Sequence, residues 1–120
     1  MDVLVVDDDH LSREMTAAAL KKLGCSAHAV AGMGAAQAWL SKRRPDLVIV
    51  DLLLPDGNGL DLCRWVRGRQ GLETLPILAT SGLGEEETIQ DALESGASDF
   101  IRKPYLPDDL GRKLLRLLPK

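Results

Sequence analysis

Short apolar runs alternate along this chain with longer stretches that mix apolar and polar residues. The apolar runs are Val3 to Val6, Ser26 to Val30, Leu47 to Val50, Ile77 to Thr80, and Phe100-Ile101. Most of them are rich in β-branched residues, which is typical of strands that a parallel sheet buries on both faces. The run at Ser26 alternates apolar and polar positions only weakly. The pattern predicts five β-strands.

A helical pattern follows each predicted strand. The first helix is indicated by apolar residues at every fourth position: Leu11, Met15, Ala19 and Leu23. The other helical stretches are Ala35 to Leu40, Leu60 to Val66, Glu85 to Glu94, and the leucine stripe after Pro107. Strands and helices that alternate five times predict one α/β domain over residues 1–120, with helices on both faces of a parallel sheet. One side of the leucine stripe in the last helix should face the core, and its remaining leucines could form a surface that binds a partner or a second copy of the chain.

Composition and charge exclude several classes of protein. The chain is 45% hydrophobic and 28% charged, as globular domains are, and its net charge of −3 argues against a nucleic-acid surface. There is no apolar run long enough to span a membrane and no basic leader, so we expect a cytoplasmic protein. Cys25 and Cys63 form no CxxC motif, which leaves a disulfide or zinc site unsupported.

Polar residues follow four of the five predicted strands. They are, in chain order, Asp7, Asp8, Asp9, Asp51, Ser81 and Lys103. Ligands of open α/β sheets bind beyond the carboxyl ends of the strands, so these side chains are expected to share one site. The second strand is followed only by Ala31-Gly32, which predicts that it lies at an edge of the sheet.

These residue types indicate a site that binds a divalent cation and takes part in phosphoryl transfer. Neighbouring strands lie ~4.8 Å apart, so several carboxylates at adjacent strand ends would repel one another. A hard divalent cation removes that conflict, and Mg²⁺, with Mn²⁺ as an alternative, suits carboxylates and phosphoryl oxygens. Lys103 would add a mobile positive charge and Ser81 a hydroxyl donor. Asp9 is expected to cap the first helix instead, and His10 to face solvent.

Four segments resemble the receiver domains of two-component response regulators, the CheY-like family. They are Val-Leu-Val-Val-Asp-Asp-Asp at 3–9, Asp-Leu-Val-Ile-Val-Asp-Leu-Leu-Leu-Pro-Asp-Gly-Asn-Gly at 46–59, Pro-Ile-Leu-Ala-Thr-Ser-Gly at 76–82, and Gly-Ala-Ser-Asp-Phe-Ile-Arg-Lys-Pro-Tyr at 96–105. The resemblance implies a flavodoxin-like (βα)5 fold with strand order 2-1-3-4-5. It also implies a phosphorelay switch that is not an enzyme beyond its own phosphorylation and dephosphorylation.

The resemblance assigns the site residues. Asp51 would become the 4-aspartylphosphate, with the phosphoryl group taken from a sensor histidine kinase or a phosphotransfer protein. Asp8, Asp51 and the backbone carbonyl of Leu53 would bind Mg²⁺ directly, and Asp7 would bind it through water. Lys103 would pair with the phosphoryl group, and its peptide bond to Pro104 would be cis.

Signal output is assigned in the same way. Ser81 and Phe100 would act as the switch pair, controlling an output domain or partner. The implied output surface, also a candidate homodimer surface, comprises the helix from Glu85, the strand at Phe100 and the helix from Pro107.

Three positions depart from common members of that family. Phe100 lacks the hydroxyl of a tyrosine, so output coupling would rest on packing. In that family, the positions of Leu53 and Leu83 flank the path of the attacking water. Leucine cannot orient that water, so we expect slow loss of the phosphoryl group. One alternative function is a phosphatase or phosphotransferase of the haloacid-dehalogenase type. Such enzymes carry a second aspartate two residues after the nucleophile, where this chain has Leu53, which weighs against that alternative. The other is a degenerate receiver that only binds partners.

Overall fold

The computed structural model describes residues 1–83 and 85–118 of the chain. Its five-stranded sheet contains β1 (Asp2–Val6), β2 (Ser26–Val30), β3 (Leu47–Asp51), β6 (Ile77–Ser81) and β7 (Asp99–Arg102). The helices are α1 (His10–Lys22), α2 (Met33–Leu40), α3 (Gly59–Arg67), α4 (Glu86–Glu94) and α5 (Pro107–Leu117). A two-stranded ribbon that the sequence pattern did not predict joins β4 (Leu53–Leu54) to β5 (Gly57–Asn58). Within these ranges, every helix is too short or too polar to cross a membrane.

The strand order of the main sheet confirms the predicted fold. The strands lie in the order β2-β1-β3-β6-β7, and all neighbours are parallel. Without the small ribbon, this is the flavodoxin-like order 2-1-3-4-5. The strand that no polar residue follows, β2, lies at an edge, as predicted. The carboxyl ends of β1, β3, β6 and β7 therefore lie side by side.

The two faces of the sheet carry separate apolar cores because side chains alternate along each strand. On one face, residues such as Val50 and Ala79 pack with α2, α3 and α4. On the other face, Ile49, Leu78 and Ile101 pack with α1 and α5. We call the second face the α1–α5 face. Along each strand, the side chains of this face are followed by the residues at the carboxyl end of the strand.

The leucine stripes of α1 and α5 are buried to different extents. In α5, Leu110 and Leu114 are buried whereas Leu115 is 76% exposed, as expected for a helix with one face on the core. In α1, the every-fourth repeat marked the helix, but Leu11 and Met15 are 65% and 62% exposed. The buried positions are Thr16, Ala19 and Leu20. A helix has 3.6 residues per turn, so a strict four-residue repeat drifts around its surface and leaves the core.

Candidate functional site

Three charged side chains from distant strands meet at the carboxyl edge of the sheet. Asp7 directly follows β1, Asp51 is the last residue of β3, and Lys103 directly follows β7. The Lys103 Nζ lies 2.8 Å from Asp7 Oδ2 and 2.8 Å from Asp51 Oδ2. Lys103 thus directly contacts both the residue named from the sequence as phosphoacceptor and its acidic partner.

Asp7 is the most enclosed carboxylate of the site, with 3% of its surface exposed. It accepts hydrogen bonds from Ser12 Oγ at 2.7 Å and from the Asp9 N–H at 3.0 Å. Burial raises the pKa of Asp7, but the hydrogen bonds from Lys103, Ser12 and Asp9 outweigh it, so the pKa lies below its ordinary value. Asp7 therefore stays ionised over the whole neutral range.

Lys103 is held in its charged form by the same contacts. Burial lowers the pKa of its ammonium group, yet the hydrogen bonds and charges of Asp51 and Asp7 outweigh burial and raise the pKa above its ordinary value. The ammonium group has three N–H donors, and each of the two carboxylates accepts a hydrogen bond from it.

Asp8 completes a group of three carboxylates. Asp7, Asp8 and Asp51 each offer an oxygen, and these oxygens lie within 4.8 Å of one another. Asp8 is exposed while its two partners are buried. Three negative charges facing one ammonium group leave a surplus that a hard cation with oxygen ligands would neutralise. The donor set therefore fits the Mg²⁺ expected from the sequence.

The loop that follows β3 positions the Asp51 carboxylate. The backbone N–H of Leu53 donates a hydrogen bond to Asp51 Oδ1 at 3.0 Å, and the Lys103 ammonium group donates one to Asp51 Oδ2. The Leu53 side chain is 64% exposed, and Leu83 is 52% exposed in the loop after β6. Neither leucine contributes a polar side-chain group to this edge of the sheet.

The residues predicted to form the switch, Ser81 and Phe100, are buried. Ser81 ends β6, is 1% exposed, and its Oγ accepts a hydrogen bond from the Leu83 N–H at 3.0 Å. Phe100 lies in β7 and is 6% exposed, so its ring lies within the core on the face opposite α1 and α5. The Lys103–Pro104 peptide bond is cis.

Two neighbours of the acidic pair behave as the sequence predicted. Asp9 is the N-cap of α1, where its side chain accepts a hydrogen bond from the Ser12 N–H. The His10 side chain is 75% exposed and lies 3.2 Å from Glu14 on the surface. Both predictions are confirmed.

Sequence reasoning missed two residues that support the site. Ser12 donates its hydroxyl proton to Asp7, although the sequence shows only a serine within the first helix. Gly59 lies so close beneath β3 that a Cβ atom there would be 2.5 Å from the Asp51 carbonyl oxygen. The Asp-Gly-Asn-Gly segment at 56–59 contributed only to the family resemblance, which did not indicate a close approach to the phosphoacceptor strand.

This fold and site define a receiver domain, and comparison with known proteins agrees. A family model described as response regulator receiver domain matches residues 3–115. The phosphate regulon transcriptional regulatory protein PhoB of Pseudomonas aeruginosa is 34% identical over 116 residues, 97% of this chain and 51% of PhoB. The transcriptional regulatory protein GltR of the same organism is 34% identical over 97% of this chain and 48% of GltR. The structure of the chemotaxis response regulator CheY4 of Vibrio cholerae matches with a TM-score of 0.92 at 30% identity, covering 98% of each chain.

The chain belongs to the response regulator receiver domain family of two-component systems. This confirms the resemblance drawn from the four sequence segments. The chain spans about half the length of the curated relatives it matches.

Proposed function

We propose that the chain is a phosphorelay switch that accepts a phosphoryl group on Asp51 from the phosphohistidine of a sensor histidine kinase or phosphotransfer protein. An Asp51 carboxylate oxygen attacks phosphorus, the P–N bond breaks, and the imidazole leaves with the bonding electron pair. The observation that carries the proposal is the contact of Lys103 Nζ with Asp51 Oδ2, 2.8 Å apart at the end of a central strand. This contact holds a positive charge beside the attacking carboxylate, where it would offset the negative charge of the incoming phosphoryl oxygens.

The acidic group supports a role for Mg²⁺ in this reaction, with Mn²⁺ as a substitute. Asp7, Asp8, Asp51 and the Leu53 carbonyl are the residues that would hold the ion. When bound, the ion offsets the negative charge of the phosphoryl group and of the carboxylates around it. Asp7 contributes an ionised carboxylate, because the hydrogen bonds from Lys103 and Ser12 lower its pKa.

The output follows from the neighbourhood of the phosphoacceptor. Ser81 ends β6, the strand that pairs with β3, and Phe100 lies beside Ala79 of β6 in the next strand. We assign the switch to Ser81 and Phe100 and the output surface to α4, β7 and α5. That surface would act on an output domain or partner protein, or on a second copy of this chain.

Labelling with acetyl phosphate in the presence of Mg²⁺ tests the proposal. The wild-type chain should gain the mass of one phosphoryl group, and Asp51→Asn should gain none. Asp61→Asn is the matched control, because Asp61 is an exposed carboxylate on α3 paired only with Arg64 among the described residues. Label that persists on Asp7 or Asp8 in the Asp51→Asn variant would show that another carboxylate is the acceptor. Sustained phosphate release from small phosphoesters would favour a phosphatase instead.

A further inference from the structure

Thr80 is a buried hydroxyl residue that the proposed reaction has not used. It is 2% exposed, and among residues 1–83 and 85–118 its Oγ1 has no hydrogen-bond partner. A buried hydroxyl without a partner destabilises a folded protein relative to an apolar group of the same shape. Valine has that shape, so a threonine at this position indicates a use for its hydroxyl in another state of the molecule.

The position of Thr80 places it next to the phosphoacceptor. Thr80 pairs with Asp51 in the register of β3 and β6. Leu78, two residues earlier in β6, packs on the α1–α5 face with Ile49 of β3. Because side chains alternate along a strand, Thr80 and Asp51 project from this same face, in neighbouring strands ~4.8 Å apart.

Lys103 has to cross β6 to reach its partners. It follows β7, and β6 separates β7 from the β3 strand that ends in Asp51. Its side chain nevertheless reaches Asp51 Oδ2 and Asp7 Oδ2, so it passes over the end of β6 on the face from which Thr80 projects. Ser81, the neighbouring hydroxyl, belongs by alternation to the opposite face and already accepts from the Leu83 N–H.

We propose that Thr80 is a positioning residue for Lys103, an inference that rests on the proposed function. In the unmodified protein the two carboxylates hold the ammonium group. As a phosphoryl group becomes attached to Asp51, that carboxylate loses its charge, and the ammonium group turns to the phosphoryl oxygens. The Thr80 hydroxyl oxygen accepts a hydrogen bond from the Lys103 N–H that points back toward β6, and this contact fixes the charge where the phosphoryl group arrives.

Two substitutions of Thr80 separate the effect of its hydroxyl group from the effect of its side-chain shape. Thr80→Val keeps the shape and removes the hydroxyl, whereas Thr80→Ser keeps the hydroxyl and removes a methyl group. The initial rate of labelling is measured against acetyl phosphate concentration for the wild type and both variants, and urea unfolding is followed in parallel. We expect the maximal rate of Thr80→Val to fall roughly tenfold, the loss of one hydrogen bond to a charged group, with the half-saturating concentration unchanged. Thr80→Ser should stay within about twofold of wild type, and Thr80→Val should unfold at no lower urea concentration than wild type.

The outcomes distinguish this inference from the proposed function. If the wild-type chain takes no label, the proposed function fails and the role of Thr80 fails with it. If the wild type is labelled and Thr80→Val is labelled equally fast, only the role of Thr80 is overturned. If both variants are equally slow and both unfold at lower urea concentration, Thr80 acts through packing, which also overturns the inference.

Discussion

Replacing Gly59 with alanine tests how closely α3 packs beneath the phosphoacceptor strand. An added Cβ atom would lie 2.5 Å from the Asp51 carbonyl oxygen and 2.7 Å from Leu52 Cα. Both neighbours are backbone atoms, so no change of side-chain rotamer can relieve the overlap, and β3 or α3 has to shift. Such overpacking costs about 2 kcal/mol, and alanine at the first residue of a helix recovers little of it. We therefore expect the free energy of unfolding to fall by about 2 kcal/mol.

Urea unfolding followed by tryptophan fluorescence measures this loss, and acetyl phosphate labelling shows whether Asp51 has moved. Gly68→Ala is the matched control at the other end of α3. There the nearest atom to an added Cβ would be the Arg64 carbonyl oxygen at 3.6 Å, and φ is −89°, which alanine adopts freely. The control should stay within about 0.5 kcal/mol of wild type. If Gly59→Ala proves as stable as Gly68→Ala and takes label at the wild-type rate, the close packing inferred here is wrong.

Three further predictions follow from the same contacts. The phosphorylated chain should lose its label slowly, and Leu53→Asn should speed that loss by offering a group that can orient water; a wild-type label that decays as fast as in chemotaxis regulators would contradict this. Without divalent cations, Lys103→Met should lower the free energy of unfolding by about 3 kcal/mol, because it leaves two buried carboxylates unpaired. Urea unfolding at stepped pH should show this difference in full between the ordinary pKa values of 3.8 for Asp7 and 10.5 for Lys103. It should fade as pH falls through the lowered pKa of Asp7 and as pH rises through the raised pKa of Lys103. Arg67→Met should lower the free energy of unfolding in urea by about 2 kcal/mol, because the Arg67 guanidinium donates to backbone carbonyls of the loops before β6 and β7. The control Arg64→Met, at an exposed ion pair, should lower it by under about 1 kcal/mol. Equal losses in the two variants would argue against that role of Arg67.

The sequence pattern was sufficient for the strands and the identity of the charged edge, and the family resemblance implied the strand order. The apolar runs predicted the strands because a parallel sheet buries both of its faces, and that constraint is local to each run. Asp51 and Lys103 could be assigned to one site because each directly follows a strand, and the ends of parallel strands meet. The small ribbon at Leu53 to Asn58 was not predicted, because strands of two residues leave no periodic pattern.

Only the tertiary structure decided which partners these residues have. Lys103 and Asp7 are 96 positions apart in the chain, so their 2.8 Å contact depends on crossovers that no local pattern describes. Thr80 ends an apolar run and was predicted only as part of a strand; its isolated hydroxyl appears once its neighbours are in place. In α1, likewise, helix periodicity was local, but the buried face was chosen by contacts such as the Thr16 hydroxyl with Tyr105, 2.6 Å apart. Short-range patterns thus determined where the elements are, whereas packing between distant segments decided what each side chain faces.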